Sequence, residues 1–549
     1  MSLIKNPILS GFNPDPSIVR VGDDYYIATS TFEWVPGVQI HHSKDLVNWR
    51  LLTHPLSRLS QLDLHGNATS GGIWAPDLSY ADGKFWLIYT DVKNWLGAFK
   101  DTHNYLVTAP DITGPWSDPI YLNSSGFDPS LFHDQDGRKW LVNEHHDFRK
   151  NHNRFAGILL QEYSVKEEKL VGPVRNIFKG TSLGLTEGPH LYRHGDFYYL
   201  LTAEGGTSYN HAVTMARSPR IEGPYEVDPA NPVLTSAGHP ELALQKAGHA
   251  SLVQSQHNDW YMVHLCGRPI QVEIAPEQMA EARAALNPIF DGSALRCNLG
   301  RETAIQKCYW TADGWLRLEW GENTPRLEVP GPDLPLHPFT PEPTRDDFNS
   351  DQLSLHFSTL RTPADESWLS LKTRPGYLRI KGRESMSSKH RQSMVARRLQ
   401  HFQAEASTCV EFEPQNFQQM AGLICIYDTD NYYYLRISYD EAIGKCLGIV
   451  LSDNGKFDEP LQHHEINIEG WERCHLKVEF DYATLQFSYS QDGLNWHKIG
   501  EPFDATKLSD EYCREGSFTG TFIGMCVQDL SGTGQTADFD YFEYIPKTH

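Results

Sequence analysis

Three acidic residues recur in closely similar settings far apart in the chain. They are Asp15 in Asn13-Pro14-Asp15-Pro16-Ser17, Asp128 in Phe127-Asp128-Pro129-Ser130 and Glu187 in Thr186-Glu187-Gly188-Pro189-His190. Each lies ten to twelve positions ahead of the aromatic residue into which a polar turn runs. Two more segments share that spacing, and they place Trp74 of Trp74-Ala75-Pro76-Asp77 and His249 of Gly248-His249-Ala250-Ser251 at the matching point. A single Asp before Pro is ordinarily a turn residue. Three carboxylates at matching points of repeats call for another reason, because clustered carboxylates repel one another and lose hydration. Cleavage of a glycosidic bond supplies one: it needs a carboxyl group to protonate the leaving oxygen and a second to act on the opposite face of the sugar.

The elements that would bring these residues together follow from the repeat itself. Its five turns begin at Gly22-Asp23-Asp24-Tyr25, Asp82-Gly83-Lys84-Phe85, Asp136-Gly137-Arg138-Lys139-Trp140, His194-Gly195-Asp196-Phe197 and His257-Asn258-Asp259-Trp260. A spacing of roughly sixty residues fits a propeller blade of four short strands, and each turn reads as the hairpin between a blade's first two strands. First strands line the central channel, so the five matched positions converge on a hub. In a regular pentagon, two-step separations are about 1.6 times those of neighbours, so neighbours at ~5 Å put two-step pairs at ~8 Å. Asp15 and Glu187, two steps apart, then leave room for a water, which is the inverting arrangement. Asp128, next to Glu187, is expected to raise the Glu187 pKa and make it the acid, leaving Asp15 ionised as the base. His249 reads as a histidine hydrogen-bonded in the channel. The mechanism requires no metal or other cofactor, although hub carboxylates and the His249 imidazole could hold a hydrated calcium or another ion.

The remaining sequence sets the frame. An all-β fold is expected: a five-bladed β-propeller over residues 1–324, a proline-rich linker over 325–345 with seven prolines from Pro325 to Pro343, and a β-sandwich over 346–549. The sandwich reading rests on alternating runs such as Leu485-Gln486-Phe487-Ser488-Tyr489. A formal charge of −22 argues against nucleic-acid and anionic-membrane partners. With no apolar run long enough to cross a bilayer and no leader-like N-terminus, a cytoplasmic location is expected. The nine cysteines are odd in number and lack a close pair, so thiols outside disulfides, mostly buried, are expected. His41-His42 and His145-His146 show no ligand-like pattern and read as loop or surface residues.

With those motifs in place, the chain resembles glycoside hydrolase family 43, and most closely its bacterial β-xylosidases. Further segments carry the likeness: Ser43-Lys44-Asp45-Leu46-Val47-Asn48-Trp49, Gly114-Pro115-Trp116, Gly223-Pro224-Tyr225 and Leu299-Gly300-Arg301-Glu302-Thr303. The resemblance implies inversion, with Asp15 as base, Asp128 as pKa tuner and orienter, and Glu187 as acid. It implies Phe32 and Trp74 as walls of the terminal xylose subsite, Arg301 as a donor to the sugar hydroxyls, and Phe518 of the C-terminal domain as the residue that closes the pocket. A pocket closed on one side implies exo action on the non-reducing ends of xylo-oligosaccharides. The resemblance also implies a homotetramer, and activity on α-L-arabinofuranosides as an alternative or second activity. One stretch departs from the pattern: Ala275 to Leu286 reads as a helix with Pro276 in its first turn.

Two rival readings carry less. Gly180-Thr181-Ser182-Leu183-Gly184 fits a serine-hydrolase elbow, but that motif needs a helix directly after the serine, and Thr186-Glu187-Gly188-Pro189 follows instead. A non-catalytic sugar-binding propeller needs donors and stacking faces but no matched acid and base.

Overall fold

The computed structural model describes residues 2–273, 294–514 and 518–547. The expected helix at Ala275–Leu286 lies outside the described residues. Five antiparallel units, four of them four-stranded and the fourth in chain order carrying an extra short strand, Leu234–Thr235, follow one another from Ser17 to Leu318, with their main strands in chain order from the axis outward. Their first strands are Ser17–Val21, Gly72–Ala81, Ser130–His133, Glu187–His194 and Gln245–Gln254. Each touches the first strands of its two neighbours, and the fifth touches the first, so the ring is closed. The hairpin turns fall where the sequence repeat places them. In blade two, Asp82 and Gly83 both adopt positive φ, 54° and 74°, between the paired residues Ala81 and Lys84, as a tight two-residue turn requires. The following strand, Lys84–Asn94, is buried on both faces, which its apolar run Phe85-Trp86-Leu87-Ile88-Tyr89 suits.

Among the described residues, no strand is exchanged to close the ring. Blade five consists of Gln245–Gln254, Trp260–Gly267, Glu302–Trp310 and Leu316–Leu318, all from one end of the propeller sequence. The N-terminal strand Leu3–Lys5 instead pairs outside the ring with Glu328–Pro330 of the proline-rich stretch. Asn6 fastens it further, exchanging side-chain hydrogen bonds with the Ile305 carbonyl at 2.8 Å and the Ile305 N–H at 2.8 Å. The proline-rich stretch continues along blade one, where the His337 N–H donates to Asp45 at 2.7 Å and Phe339 lies under Arg50.

Two sheets of eight and nine strands then stack as a sandwich around one apolar core that includes Trp368, Leu423, Val478, Phe487 and Phe539. The nine-stranded sheet takes its last strand, Trp34–Val35, from blade one, paired with Ser358–Leu360. A second core spans both domains. Phe12, Phe32, Trp34, Trp74 and Phe127 of the propeller pack with Leu360, Met394, Ile424, Tyr434 and Phe522 of the sandwich. No disulfide joins any of the nine cysteines, and all are buried. His41 and His42 differ from expectation: they are buried in the blade-one strand Gln39–Ser43, because the blade-one edge is covered by the proline-rich stretch.

Candidate active site

At the hub, a matched residue at or just before the first strand of each blade has left-handed backbone: Asp15 (φ 54°), Ala75 (32°), Asp128 (52°), Gly188 (56°) and His249 (48°). In the first four, proline follows. This corrects the alignment by spacing, which set Trp74 and Glu187 level with Asp15, Asp128 and His249. Trp74 and Glu187 stand one residue earlier, level with Pro14, Phe127 and Gly248. The ladder breaks there between Trp74 and Asp77, between Glu187 and His190, and on both sides of Gly248. Bulges of this kind re-aim side chains, so the offset turns Trp74 and Glu187 to a different bearing from the other hub residues. Left-handed backbone at non-glycine residues costs on the order of 1 kcal/mol each, a cost commonly found at working sites.

Asp15 is buried, and its surroundings select the ionised form. The Ser30 hydroxyl donates to Oδ2 at 2.6 Å, Arg301 Nη1 donates to Oδ1 at 3.2 Å, and His249 Nδ1 lies 4.0 Å away. Burial pushes the carboxyl up, but Arg301, His249 and Ser30 together outweigh it and hold Asp15 below its ordinary range. Ser30 Oγ also accepts the Ala75 N–H at 2.8 Å, which ties blade one to blade two.

Glu187 is driven the other way. Burial is the main cause, the Asp15 charge adds to it, Lys100 and Arg301 oppose it, and the carboxyl is pushed up to about 7. The expected cause was the charge of Asp128. Asp128 is itself raised well above the usual carboxylate range, by burial and then by Glu187 and Asp15. Its clearest contact is structural: Asp128 Oδ2 accepts the Gly188 N–H at 3.0 Å, fixing the backbone beside Glu187.

The apolar walls meet above these carboxyl groups. The Phe32 and Phe518 rings stack with centroids 6.2 Å apart, and Trp74 stands edge-on to Phe518 at 5.7 Å and tilted to Phe32 at 6.2 Å. Arg301 is oriented by three acceptors: Asp15, Thr207 Oγ1 at 2.8 Å, and the Phe518 carbonyl at 3.0 Å from Nη2. Its guanidinium carbon lies 5.5 Å from both the Phe32 and Phe518 ring centres. The structure thus brings Asp15, Asp128, Glu187, Phe32, Trp74, His249, Arg301 and Phe518 into one neighbourhood. His249 faces Asp15, with burial holding its imidazole down at about 4 and hence neutral. Among the described residues, no group of three His, Cys, Asp or Glu side chains is arranged to hold a metal ion.

Several members of the site carry no sequence signal. Lys100 lies between blade-two strands, 4.9 Å over the Phe127 ring and 5.8 Å from Trp74, and its charge faces Glu144, Glu187 and Asp128. Glu144 is fully buried with no hydrogen-bond partner on either carboxylate oxygen among the described residues, and burial raises it well above its usual range. Trp95 adds a third indole or phenyl face to Phe518 at 5.3 Å. These residues sit outside the repeated motifs, where only the fold assembles them.

Phe518 reaches the pocket because the sandwich is locked to the propeller by a buried polar cluster. Lys246 Nζ pairs with Glu511 at 2.6 Å and Asp510 at 3.1 Å. Glu511 also accepts the Cys297 N–H at 2.8 Å and the Tyr209 hydroxyl at 2.8 Å. Asp510 accepts the Tyr427 hydroxyl at 2.7 Å, and that hydroxyl accepts the Thr519 N–H at 3.2 Å. Both strands of the cluster end beside Arg301 and Phe518.

One ionised carboxylate, one carboxyl group that keeps its proton near neutral pH, an oriented guanidinium and a ring-walled recess together suit general acid and base cleavage of a glycoside. Comparison with known proteins agrees. Residues 4–316 match the family described as glycosyl hydrolases family 43, and residues 345–545 match the β-xylosidase C-terminal concanavalin A-like domain. A β-xylosidase of Bacillus subtilis is 52% identical over 546 residues, spanning 99% of this chain and all of the relative. A xylan 1,3-β-xylosidase of a Vibrio species is 47% identical, spanning 99% of each chain. The crystal structure of a xylan β-1,4-xylosidase from Bacillus halodurans superposes with a TM-score of 0.94 at 58% identity, covering 99% of this chain and 100% of that one. On these matches and on the site they coincide with, the chain belongs to glycosyl hydrolase family 43.

Proposed function

We propose that the chain is an exo-acting, inverting β-xylosidase that releases xylose from the non-reducing ends of xylobiose and short β-1,4-xylo-oligosaccharides. The observation that carries the reading is the opposite pull on two carboxyl groups at one hub: Asp15 held low by Arg301, His249 and Ser30, and Glu187 pushed up to about 7. In this reading Asp15 takes a proton from the attacking water while Glu187 gives one to the departing oxygen. Asp128 acts through the Gly188 N–H to hold Glu187 in place. Phe32, Trp74 and Phe518 wall the terminal sugar, and Arg301 and His249 face its hydroxyls. Exo action rests on the family likeness, which implies a pocket closed by Phe518; the stacking of Phe518 on Phe32, with Arg301 beside both rings, supports it.

The linkage has a second reading, because the Vibrio relative is named for 1,3-linked xylan. Comparing release of xylose from 1,4- and 1,3-linked xylobiose, and from aryl α-L-arabinofuranosides, ranks the three activities. Asp15→Asn is expected to lower kcat by roughly 10²–10⁴-fold on every substrate. Glu187→Gln should recover much of its loss on aryl β-xylosides whose leaving group is already acidic. Equal losses for the two variants on all leaving groups would reject the assignment. The proposal extends to a cytoplasmic homotetramer that requires no cofactor. Nine cysteines without a disulfide support a reducing compartment, and the tetramer rests on the family likeness.

A further inference from the structure

Two loops carry aromatic rings that the proposed reaction leaves unused. Residues 95–100 join strands Lys84–Asn94 and Asp101–Ala109 of blade two, and residues 147–154 join Lys139–His146 and Phe155–Ser164 of blade three. Both lie at the acids' end of the propeller. In each blade the first hairpin turns at the far end of the first strand, so the antiparallel second strand climbs back to the hub residues. In blade three the return is direct: the Glu144 N–H donates to the Phe127 carbonyl and the His146 N–H to the Ser125 carbonyl, each at 3.0 Å.

The rings form two layers. Against the recess are Trp95, 5.3 Å from Phe518, and Phe155, edge-on to Phe127 at 6.0 Å. The Lys100 ammonium lies between them, 4.9 Å from the Phe127 ring, with its charge facing Glu187. On the solvent side, Phe99 and Phe148 meet across the two loops with centroids 4.8 Å apart, yet stay 65% and 51% exposed. The loops that carry them are tied down. His146 Nε2 donates to the Ala98 carbonyl at 3.4 Å, the Asp147 N–H donates to the Arg154 carbonyl at 2.9 Å, and Arg149 holds Asp147 with two bonds of 2.9 and 2.6 Å. Paired rings left in water beside a ligand recess are the kind of apolar patch that a ligand covers. Position selects the ligand. Glu187 serves the departing oxygen, so the leaving sugar lies over the inner layer, and a chain that continues past it meets the outer one.

We infer that Phe99 and Phe148 are a stacking platform for the second xylose beyond the cleaved bond and so set the preference for chain length. The inference rests on the xylosidase reading above. Its test is the ratio of kcat/KM on xylotriose to kcat/KM on xylobiose, since only the trisaccharide reaches the platform. Phe99→Ser and Phe148→Ser should each lower that ratio roughly 2- to 10-fold, the worth of one aromatic contact, and Phe99→Trp should keep it. Phe457→Ser, which removes a 63% exposed ring from the sandwich strand Lys456–Asp458, should leave the ratio at the parent's value. The inference is overturned if both platform variants keep the parent's ratio. It is equally overturned if light scattering shows that they change the number of chains per particle, which would make the pair a contact between copies. A parent that hydrolyses neither oligosaccharide would reject the xylosidase reading itself, a result distinct from an unchanged ratio in an active enzyme.

Discussion

Asp15 and Glu187 differ by one methylene, yet the site drives their proton affinities apart through what surrounds them. Arg301 and Ser30 favour the charge on Asp15, and burial disfavours it on Glu187. Activity that needs Glu187 protonated must fall as pH rises through about 7, whereas the Asp15 limb lies below the ordinary Asp range. A pH profile of kcat/KM should therefore show an alkaline limb near 7, absent for Glu187→Gln on substrates with acidic leaving groups. The same shift sets a stability term. Glu187 moves from an ordinary 4.5 to about 7 in the folded state, so its contribution is fully present below 4.5 and lost as pH rises through 7. Glu187→Gln should consequently match the parent in urea stability at pH 4 and exceed it at pH 8 by up to about 3 kcal/mol. At this scale the sequence was informative where proline and glycine framed the acids. Ser30, Thr207 and Lys100 were illegible, because a serine, a threonine and a lysine in ordinary loops acquire their roles only from neighbours that are distant in sequence.

Among elements, the hub turns decide where side chains point. Counting back from the hairpins located all five turns but missed the one-residue offset at Trp74 and Glu187, since a bulge changes register without changing the motif around it. The loop before Arg301 offers a sharper case. Gly300 has φ +79°, and a Cβ there would come within 2.5 Å of the Thr519 carbonyl. Gly300→Ala should force the Arg301 loop and the Phe518 segment apart and lower kcat/KM by roughly 10- to 100-fold. Gly321 has nearly the same φ, +80°, with nothing within 4 Å of a new Cβ. Gly321→Ala thus controls for backbone strain, and its kinetics should stay close to those of the parent. A larger loss at Gly321 than at Gly300 would sever the link between that contact and the site.

For the whole molecule, a propeller followed by a sandwich could be read from the sequence, but their union could not. Trp34–Val35 completes a sandwich sheet, Phe12 and Phe522 share one core, and Lys246 is buried against Asp510 and Glu511. Each is a pairing of residues hundreds of positions apart, invisible to local pattern. Domains tied in this way should unfold together, so calorimetry is expected to give one transition rather than two. Lys246→Met leaves two buried carboxylates unpaired and should destabilise that single transition by about 3–5 kcal/mol. Two separated transitions in the parent protein would contradict this coupling.

The seam between the domains also orders events on the ribosome. The ring can shut once Leu316–Leu318 has emerged to complete blade five, but Trp34–Val35 must wait for the sheet it will join. Phe518, translated after every propeller residue, then completes the recess. A nascent chain therefore carries its three acids in an open bowl until the sandwich that bears Phe518 has been made.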